Sequence, residues 1–139
     1  MGDYGQILDH FEAHLVALGY TPATETFDLT DLADTQIDKA FCLVPGGSKR
    51  SDLSLWHVDV GLEIRIAFRQ PPSGKAAAAD IQDIHNMGIV WHFIQKVNHG
   101  PADRIEWEGS TPVEWDAQVL ELRIGFVVSY PGLRKPANA

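Results

Sequence analysis

Residues 56–68 of this chain read WHVDVGLEIRIAF, and apolar and polar side chains alternate along this stretch. The intervening polar positions include Asp59, Glu63 and Arg65. A period of two is typical of a β-strand with one buried face and one face that meets solvent or another subunit. The apolar positions are Trp56, Val58, Val60, Leu62, Ile64, Ile66 and Phe68.

The C-terminal part of the chain repeats this alternation and predicts a second long strand over residues 114–130. The two long strands are expected to be neighbours in one sheet. Two shorter strands are predicted. One spans residues 39–44 and is stopped by Pro45, Gly46 and Gly47; the other spans residues 104–108 and is followed by a turn at GSTP. The apolar positions of the second long strand are Leu120, Leu122, Ile124, Phe126, Val128 and Tyr130.

Apolar residues at helical spacing predict two helices. The first is amphipathic and ends near Gly19, a residue suited to a left-handed C-cap; the second spans about residues 76–98 and ends at Gly100-Pro101. The first helix carries Tyr4, Ile7, Leu8, Phe11, Leu15 and Leu18. The apolar stripe predicted for the second comprises Ile81, Ile84, Met87, Trp91, Ile94 and Val97 or Asn98.

These elements predict an α+β fold in α-β-β-α-β-β order, with two helices packed on one face of an antiparallel or mixed sheet of about four strands. The 139 residues, 45% hydrophobic, suffice for one globular domain, expected over residues 1–130 with a flexible tail at 131–139. No stretch has the roughly 18 uninterrupted apolar residues that a membrane span needs. The lone Cys42 cannot form an internal disulfide, so synthesis in the cytosol is expected.

Negative charge is concentrated before Lys39, the first basic residue of the chain. The formal net charge is −8, which argues against a general nucleic-acid binder that would hold phosphates with basic side chains. Residues 20–38 are interpreted as an irregular acidic connection. Its charge can serve solubility, repel a polyanion or dock a basic partner. The acids before Lys39 are Asp3, Asp9, Glu12, Glu25, Asp28, Asp31, Asp34 and Asp38.

Residues that could carry chemistry do not form a known motif. His85, His92 and His99 are spaced seven apart on the predicted second helix, which places successive rings about 10 Å apart along the axis, too far to share one metal ion. His10 and His14 have closer spacing but no partner that completes a site. No G-x-S-x-G motif is present, and Cys42 is interpreted as a small buried apolar residue. The sequence therefore predicts neither an enzyme nor a bound cofactor or metal.

Several segments, taken in order, resemble the tail terminator family of long-tailed bacteriophages. They are LGYTP at residues 18–22, FDLTDL at 27–32, IDKAFCLVPGG at 37–47, WHVDVGLEIRIAF at 56–68 and QVLELRIGFVVSY at 118–130. The resemblance covers residues 4–130. It lies in the order, length and character of the segments, without a short diagnostic motif.

The resemblance implies a structural protein that forms a homo-hexameric ring on the end of the tail tube, stops tube polymerisation and presents a surface for head joining. Its partners would be the tail tube protein and a head-completion or neck protein. It would lie at the head-proximal end of the virion tail after assembly in the host cytoplasm. DNA would pass through the lumen without specific binding, and no membrane or cofactor would take part.

Two surfaces are candidates for this role. Gly46, Gly47, Lys49 and Arg50, in an expected mobile loop at residues 45–54, are candidates for contact with the tube or neck. An acidic lumen wall or docking surface is assigned to Glu25, Asp28, Asp31, Asp34 and Asp38. Two other functions stay open at this point. One is a head-completion or stopper protein of the connector, and the other is a small ligand-binding or hydrolase domain with a pocket between helix and sheet.

Overall fold

A computed structural model describes residues 3–23, 38–69, 75–114 and 119–133 of the chain. The two α-helices are α1 (Tyr4–Ala17) and α2 (Lys75–Ile94), and a short 3₁₀ helix follows α2 at Lys96–Asn98. The strands are β1 (Thr21–Pro22), β2 (Ala40–Arg50), β3 (Val58–Arg69), β4 (Arg104–Glu114) and β5 (Val119–Tyr130). The predicted α+β class is confirmed.

Helix α1 begins where its sequence supplies a cap. The Gln6 backbone N–H donates to Asp3 Oδ1 over 2.8 Å, and the Asp3 N–H donates to Gln6 Oε1 over 3.2 Å, which satisfies two backbone donors at the start of the helix. The helix ends before Gly19, whose φ of 102° lies in the left-handed region. The predicted first helix and its glycine terminus are both confirmed.

The sheet has five strands in the order β1-β2-β3-β5-β4, one more than the expected four. The extra strand is β1, which pairs in parallel with the start of β2 and lies within the predicted irregular connection at residues 20–38. Thr21 and Ala23 donate their N–H groups to the carbonyls of Lys39 and Phe41, at 3.0 and 2.8 Å. These bonds fix a two-residue strand that is too short to give a periodic signal. The sheet is therefore mixed, and the expected α-β-β-α-β-β order is replaced by α-β-β-β-α-β-β.

The two long alternating strands, β3 and β5, are antiparallel neighbours at the centre of the sheet, as predicted. Both outer partners are longer than predicted. β2 continues through the Pro45-Gly46-Gly47 stretch to Arg50, with a bulge between Pro45 and Ser48. β4 continues through GSTP, with a bulge between Trp107 and Gly109, so the predicted turn is wrong and β5 begins at Val119. Bulges absorb residues that would interrupt a regular strand, which explains both extensions.

Both helices pack on the face of the sheet that carries the apolar residues of β3 and β5. Phe11 of α1 stacks on Phe93 of α2 with ring centroids 4.3 Å apart, and both rings contact Phe126 of β5. These aromatic contacts place the centre of the core between the two helices and the middle of the sheet. The fully buried side chains of α1 are Ile7, Phe11 and Leu15.

The predicted apolar stripe of α2 is wrong in phase. Ile89, Val90 and Phe93 enter the core, whereas Met87 and Trp91 are 59% and 61% exposed. The predicted single helix also divides, because Gln95 has extended backbone angles before the 3₁₀ turn. Of the remaining predicted positions, Ile81 packs on the core and Val97 is exposed.

The opposite face of the sheet carries a smaller cluster and charged side chains. Cys42 is buried there with Ala40, Ala67 and Val119, which confirms its interpretation as a small core residue. Within the described part of the chain, neither helix is long and apolar enough to cross a lipid bilayer. The expected C-terminal tail lies mostly outside the described residues, which end at residue 133.

Candidate assembly surfaces

Gly46, Gly47, Lys49 and Arg50 lie in the distal half of β2, and the expected mobile loop is therefore corrected to strand up to Arg50. Lys49 is opposite Asp59, and Arg50 is opposite Val58. Ladder hydrogen bonds to β3 hold this segment although it contains two glycines and a proline. All four candidates are exposed. The structure thus presents these basic side chains from a fixed strand end.

The two glycines have different steric surroundings. A Cβ on Gly46 would lie 3.3 Å from the Gly61 carbonyl oxygen and 3.4 Å from the Gly61 Cα, whereas a Cβ on Gly47 would meet no atom within 4 Å. The bulge therefore brings the backbones of β2 and β3 close together at Gly46. With Gly125 of β5, these glycines line a shallow groove of about 460 Å³ across the face of the sheet opposite the helices, called here the open face.

Charged side chains flank this groove. Arg65 Nε donates to Glu63 Oε1 over 2.5 Å on β3, and Arg123 Nε donates to Glu121 Oε2 over 2.7 Å on β5. Arg65 and Arg123 are opposite each other in the register, and each guanidinium forms its hydrogen bond along its own strand. The hydrogen bond with Glu63 raises the pKa of Arg65. Lys49 and Glu108 also line the groove.

The acidic candidates are mostly outside the described residues. Four of them lie in the range 24–37, outside the described residues: Glu25, Asp28, Asp31 and Asp34. The predicted acidic surface stays a prediction for these four. Asp38 is described and exposed, and its Oδ1 accepts a hydrogen bond from the Arg69 backbone N–H over 3.2 Å. Asp38 therefore holds the end of β3 next to the start of β2.

The two outer edges of the sheet differ. On one side, β4 pairs only with β5, and within the described ranges no strand lies beyond its 11 residues. On the other side, β1 covers only Ala40 and Phe41 of β2. The outer side of β2 from Leu43 to Arg50 has no strand beside it among the residues described. Open backbone donors and acceptors at a sheet edge can pair with another chain.

An exposed apolar patch borders the β4 edge, and it consists of Met87, Trp91, Ile94 and Trp107. The indole N–H of Trp107 donates to Ser110 Oγ over 3.0 Å, and the Ser110 hydroxyl donates to Asn86 Oδ1 over 2.5 Å, which ties α2 to β4. His85 and His92 occupy the other flank of α2, where they contact Tyr20 and His14. Met87, Trp91 and Ile94 therefore lie on the flank that borders β4.

Three histidines meet where α1 contacts α2. His14 Nδ1 lies 2.6 Å from His92 Nε2, and the rings of His10 and His14 have centroids 4.1 Å apart. The pKa values of His14 and His92 are lowered by desolvation and then by neighbouring histidines. Sequence spacing along one helix could not reveal this contact, because it joins two helices. Within the described ranges, no three His, Cys, Asp or Glu side chains are arranged to hold a metal ion.

A second polar chain joins Ser54, His57 and Asp103. Ser54 Oγ lies 2.6 Å from His57 Nδ1, and His57 Nε2 is hydrogen-bonded to an Asp103 carboxylate oxygen. Such a set contains the residue types of a nucleophile, a base and an orienting acid. The Ser54 Oγ also accepts the Trp56 N–H over 3.1 Å, so it fastens its own turn. Sequence analysis missed this set because Asp103 is distant in the chain.

The chain matches no protein-family model, and it matches no curated protein at a significant level.

Proposed function

We propose that this chain is a tail terminator, a structural protein whose ring caps the tail tube, ends tube polymerisation and offers the surface for head joining. The observation that carries the proposal is the pair of unlike, open sheet edges on β2 and β4. A closed ring of identical subunits needs two different patches that meet head to tail. The resemblance of the segments over residues 4–130 to the tail terminator family supports the same assignment, and that resemblance implies a hexamer.

The charge of the chain fits a ring around DNA. With a net charge of −8, it repels phosphates and lets DNA pass without specific binding. We assign the acidic residues Glu25, Asp28, Asp31, Asp34 and Asp38 to the lumen or to a docking surface. The strand end with Lys49 and Arg50 is exposed and basic, which suits contact with another protein subunit.

The test is to disrupt the gene in the phage or prophage that encodes it and to examine lysates by negative-stain electron microscopy. We expect overlong, unattached tubes beside filled heads, and normal tails when the wild-type gene is supplied from a plasmid. Free tails of normal length beside empty or leaking heads would instead support the head-completion function, in which the protein would lie on the head side of the head–tail junction.

A hydrolase is the second candidate, because Ser54, His57 and Asp103 form a hydrogen-bonded chain. The structure gives it less support than the terminator. Ser54 and His57 are only three residues apart in the sequence, so their hydrogen bond belongs to one local turn. The Ser54 hydroxyl oxygen also accepts the Trp56 backbone N–H within that turn. Neither Ser54 nor His57 lines the groove of the open face. Ester hydrolysis by the purified chain, lost in Ser54→Ala, would support this candidate.

A further inference from the structure

The outer strands β2 and β4 run in opposite directions. β2 is antiparallel to β3, β3 to β5, and β5 to β4, so three reversals separate the two edges. A second copy placed beside the first in the same orientation therefore brings its β2 next to the first copy's β4 as an antiparallel pair. Antiparallel strands form well-aligned backbone hydrogen bonds. The sheet can thus continue from copy to copy without inverting a subunit, as a head-to-tail ring requires.

The two edges carry opposite net charges; the one basic residue of β4, Arg104, forms salt bridges with Asp52 and Glu106. β2 presents Lys49 and Arg50, which form no salt bridge with any described residue of their own chain. β4 presents Glu106 and Glu108, and both are exposed. Glu106 lies 3.0 Å from Arg104, whereas Glu108 forms no salt bridge within the part of the chain described. Lys49 and Glu108 both lie on the open face, since both line its groove. They would meet on the same side of a joined sheet.

The helix side of the same edge offers apolar area. The patch of Met87, Trp91, Ile94 and Trp107 borders β4 and is exposed in the single chain. Arg50 lies opposite Val58, on the helix side of β2, and Trp107 lies opposite Phe126, on the helix side of β4, so the two would be on the same side of a joined sheet. A guanidinium over an indole face is a favourable contact. Buried aromatic and arginine side chains are common at the centre of protein interfaces.

We infer that the β4 edge with its bordering apolar patch receives the outer edge of β2 from a second copy of this chain, with Lys49 and Arg50 of that copy against Glu106, Glu108 and Trp107. This inference rests on the proposed ring function, and it identifies the two surfaces that would form the interface between neighbouring subunits, called here the joint. Backbone pairing gives the contact its direction. The charges select the β2 edge of a neighbour and disfavour pairing of two β4 edges, which would oppose like charges.

The test uses two charge-reversed variants that are complementary. Variant one carries Lys49→Glu and Arg50→Glu, and variant two carries Glu106→Lys and Glu108→Lys. Either variant alone opposes like charges at every joint, and we expect the concentration for half-assembly to rise by about tenfold or more. In an equimolar mixture each joint regains an opposite pair. The mixture should therefore assemble as alternating subunits, which closes only in an even-membered ring such as a hexamer. Native mass spectrometry measures ring mass and subunit ratio.

The matched control reverses charges away from both edges, with Asp9→Lys on α1 and Lys96→Glu in the 3₁₀ helix, and should assemble like wild type. Circular dichroism checks that each variant folds, and Glu108→Lys alone replaces the second variant if it does not. Rings from either variant alone, or no recovery in the mixture, would overturn the joint. So would a wild-type chain that stays monomeric both alone and with purified tail tubes. Tail length after gene disruption tests termination separately, so a wrong joint and a wrong function give different results.

Discussion

His14 Nδ1 lies 2.6 Å from His92 Nε2, so one hydrogen bond between imidazoles joins α1 to α2. In this hydrogen bond one ring donates an N–H and the other accepts it. The accepting ring must therefore be neutral, and the bond is lost when both histidines are protonated. The His10 ring lies beside His14, with centroids 4.1 Å apart, and adds a third imidazole at the same contact. Protonation would place positive charges next to one another where the helices pack.

The first prediction concerns pH. Desolvation and the neighbouring histidines lower the pKa values of His14 and His92 from the ordinary 6.5. The unfolded chain therefore takes up protons at a higher pH than the folded chain. The stability contributed by the neutral pair is fully present above about pH 6.5 and is lost as the pH falls through the lowered folded-state values. Urea unfolding between about pH 5 and 8 should show this fall, and His14→Gln should reduce its slope. An unchanged slope in the variant would contradict the assignment.

The second prediction compares two neighbouring aromatic residues of α2. Phe93 is fully buried and stacks on Phe11, so Phe93→Ala should lower the free energy of unfolding by about 3–5 kcal/mol. Trp91→Ala removes an exposed side chain and should change it by about 0.5 kcal/mol or less. Denaturant unfolding measures both. Comparable losses in the two variants would mean that Trp91 also packs on the core.

The apolar stripe of α2 shows where sequence information was insufficient. Apolar residues occur on two adjoining flanks of this helix, one with Ile89 and Phe93 and the other with Met87 and Trp91. Periodicity finds the helix but cannot choose between two flanks that differ by one residue in phase. The choice depends on contacts with Phe11 and Phe126, which lie on other elements. A partner subunit that covered the flank with Met87 and Trp91 would leave both apolar flanks of the helix buried.

The long strands were predictable, and the outer strands were not. β3 and β5 alternate without interruption and are covered on one side, so their pattern alone predicted that they are neighbours. β2 and β4 each contain glycine and proline, which predict turns when the sequence is considered alone. In the structure each of these strands has a bulge and pairs with a regular neighbouring strand. The basic candidates Lys49 and Arg50 were found from charge, but their position on a strand edge depended on this pairing.

The third prediction tests the close approach of β2 and β3. Gly46→Val places a Cβ 3.3 Å from the Gly61 carbonyl oxygen and should lower the free energy of unfolding by about 1–3 kcal/mol. Gly47→Val is the matched control, because its Cβ meets no atom within 4 Å. Thermal unfolding of the two variants should separate them clearly. Equal stability would show that the bulge can shift to admit a side chain.

The fourth prediction concerns Ser54, whose Oγ accepts the Trp56 N–H and contacts His57 Nδ1. Ser54→Ala should cost about 1 kcal/mol of stability because both hydrogen bonds are lost. It should leave any background hydrolysis of a chromogenic ester unchanged. An ester-cleaving activity that disappears in this variant, without loss of fold, would transfer the polar chain from a structural to a catalytic role.

The fifth prediction concerns the acidic stretch. Replacing Asp28, Asp31 and Asp34 by asparagine removes negative charge from the proposed lumen and should slow genome ejection while particles still assemble. Ejection kinetics from purified particles measure the effect, and Asp9→Asn on α1 serves as a control for loss of charge alone. Normal ejection would count against the lumen role, whereas failure to join heads would favour docking.

Each outer strand carries a bulge, one between Pro45 and Ser48 and the other between Trp107 and Gly109. A bulge bends and twists the strand, so a flat foreign strand cannot align with either edge along its full length. The bulges therefore make each edge selective for a strand of matching contour. They leave the backbone groups of each edge available to such a strand, and they disfavour pairing with flat, unrelated strands.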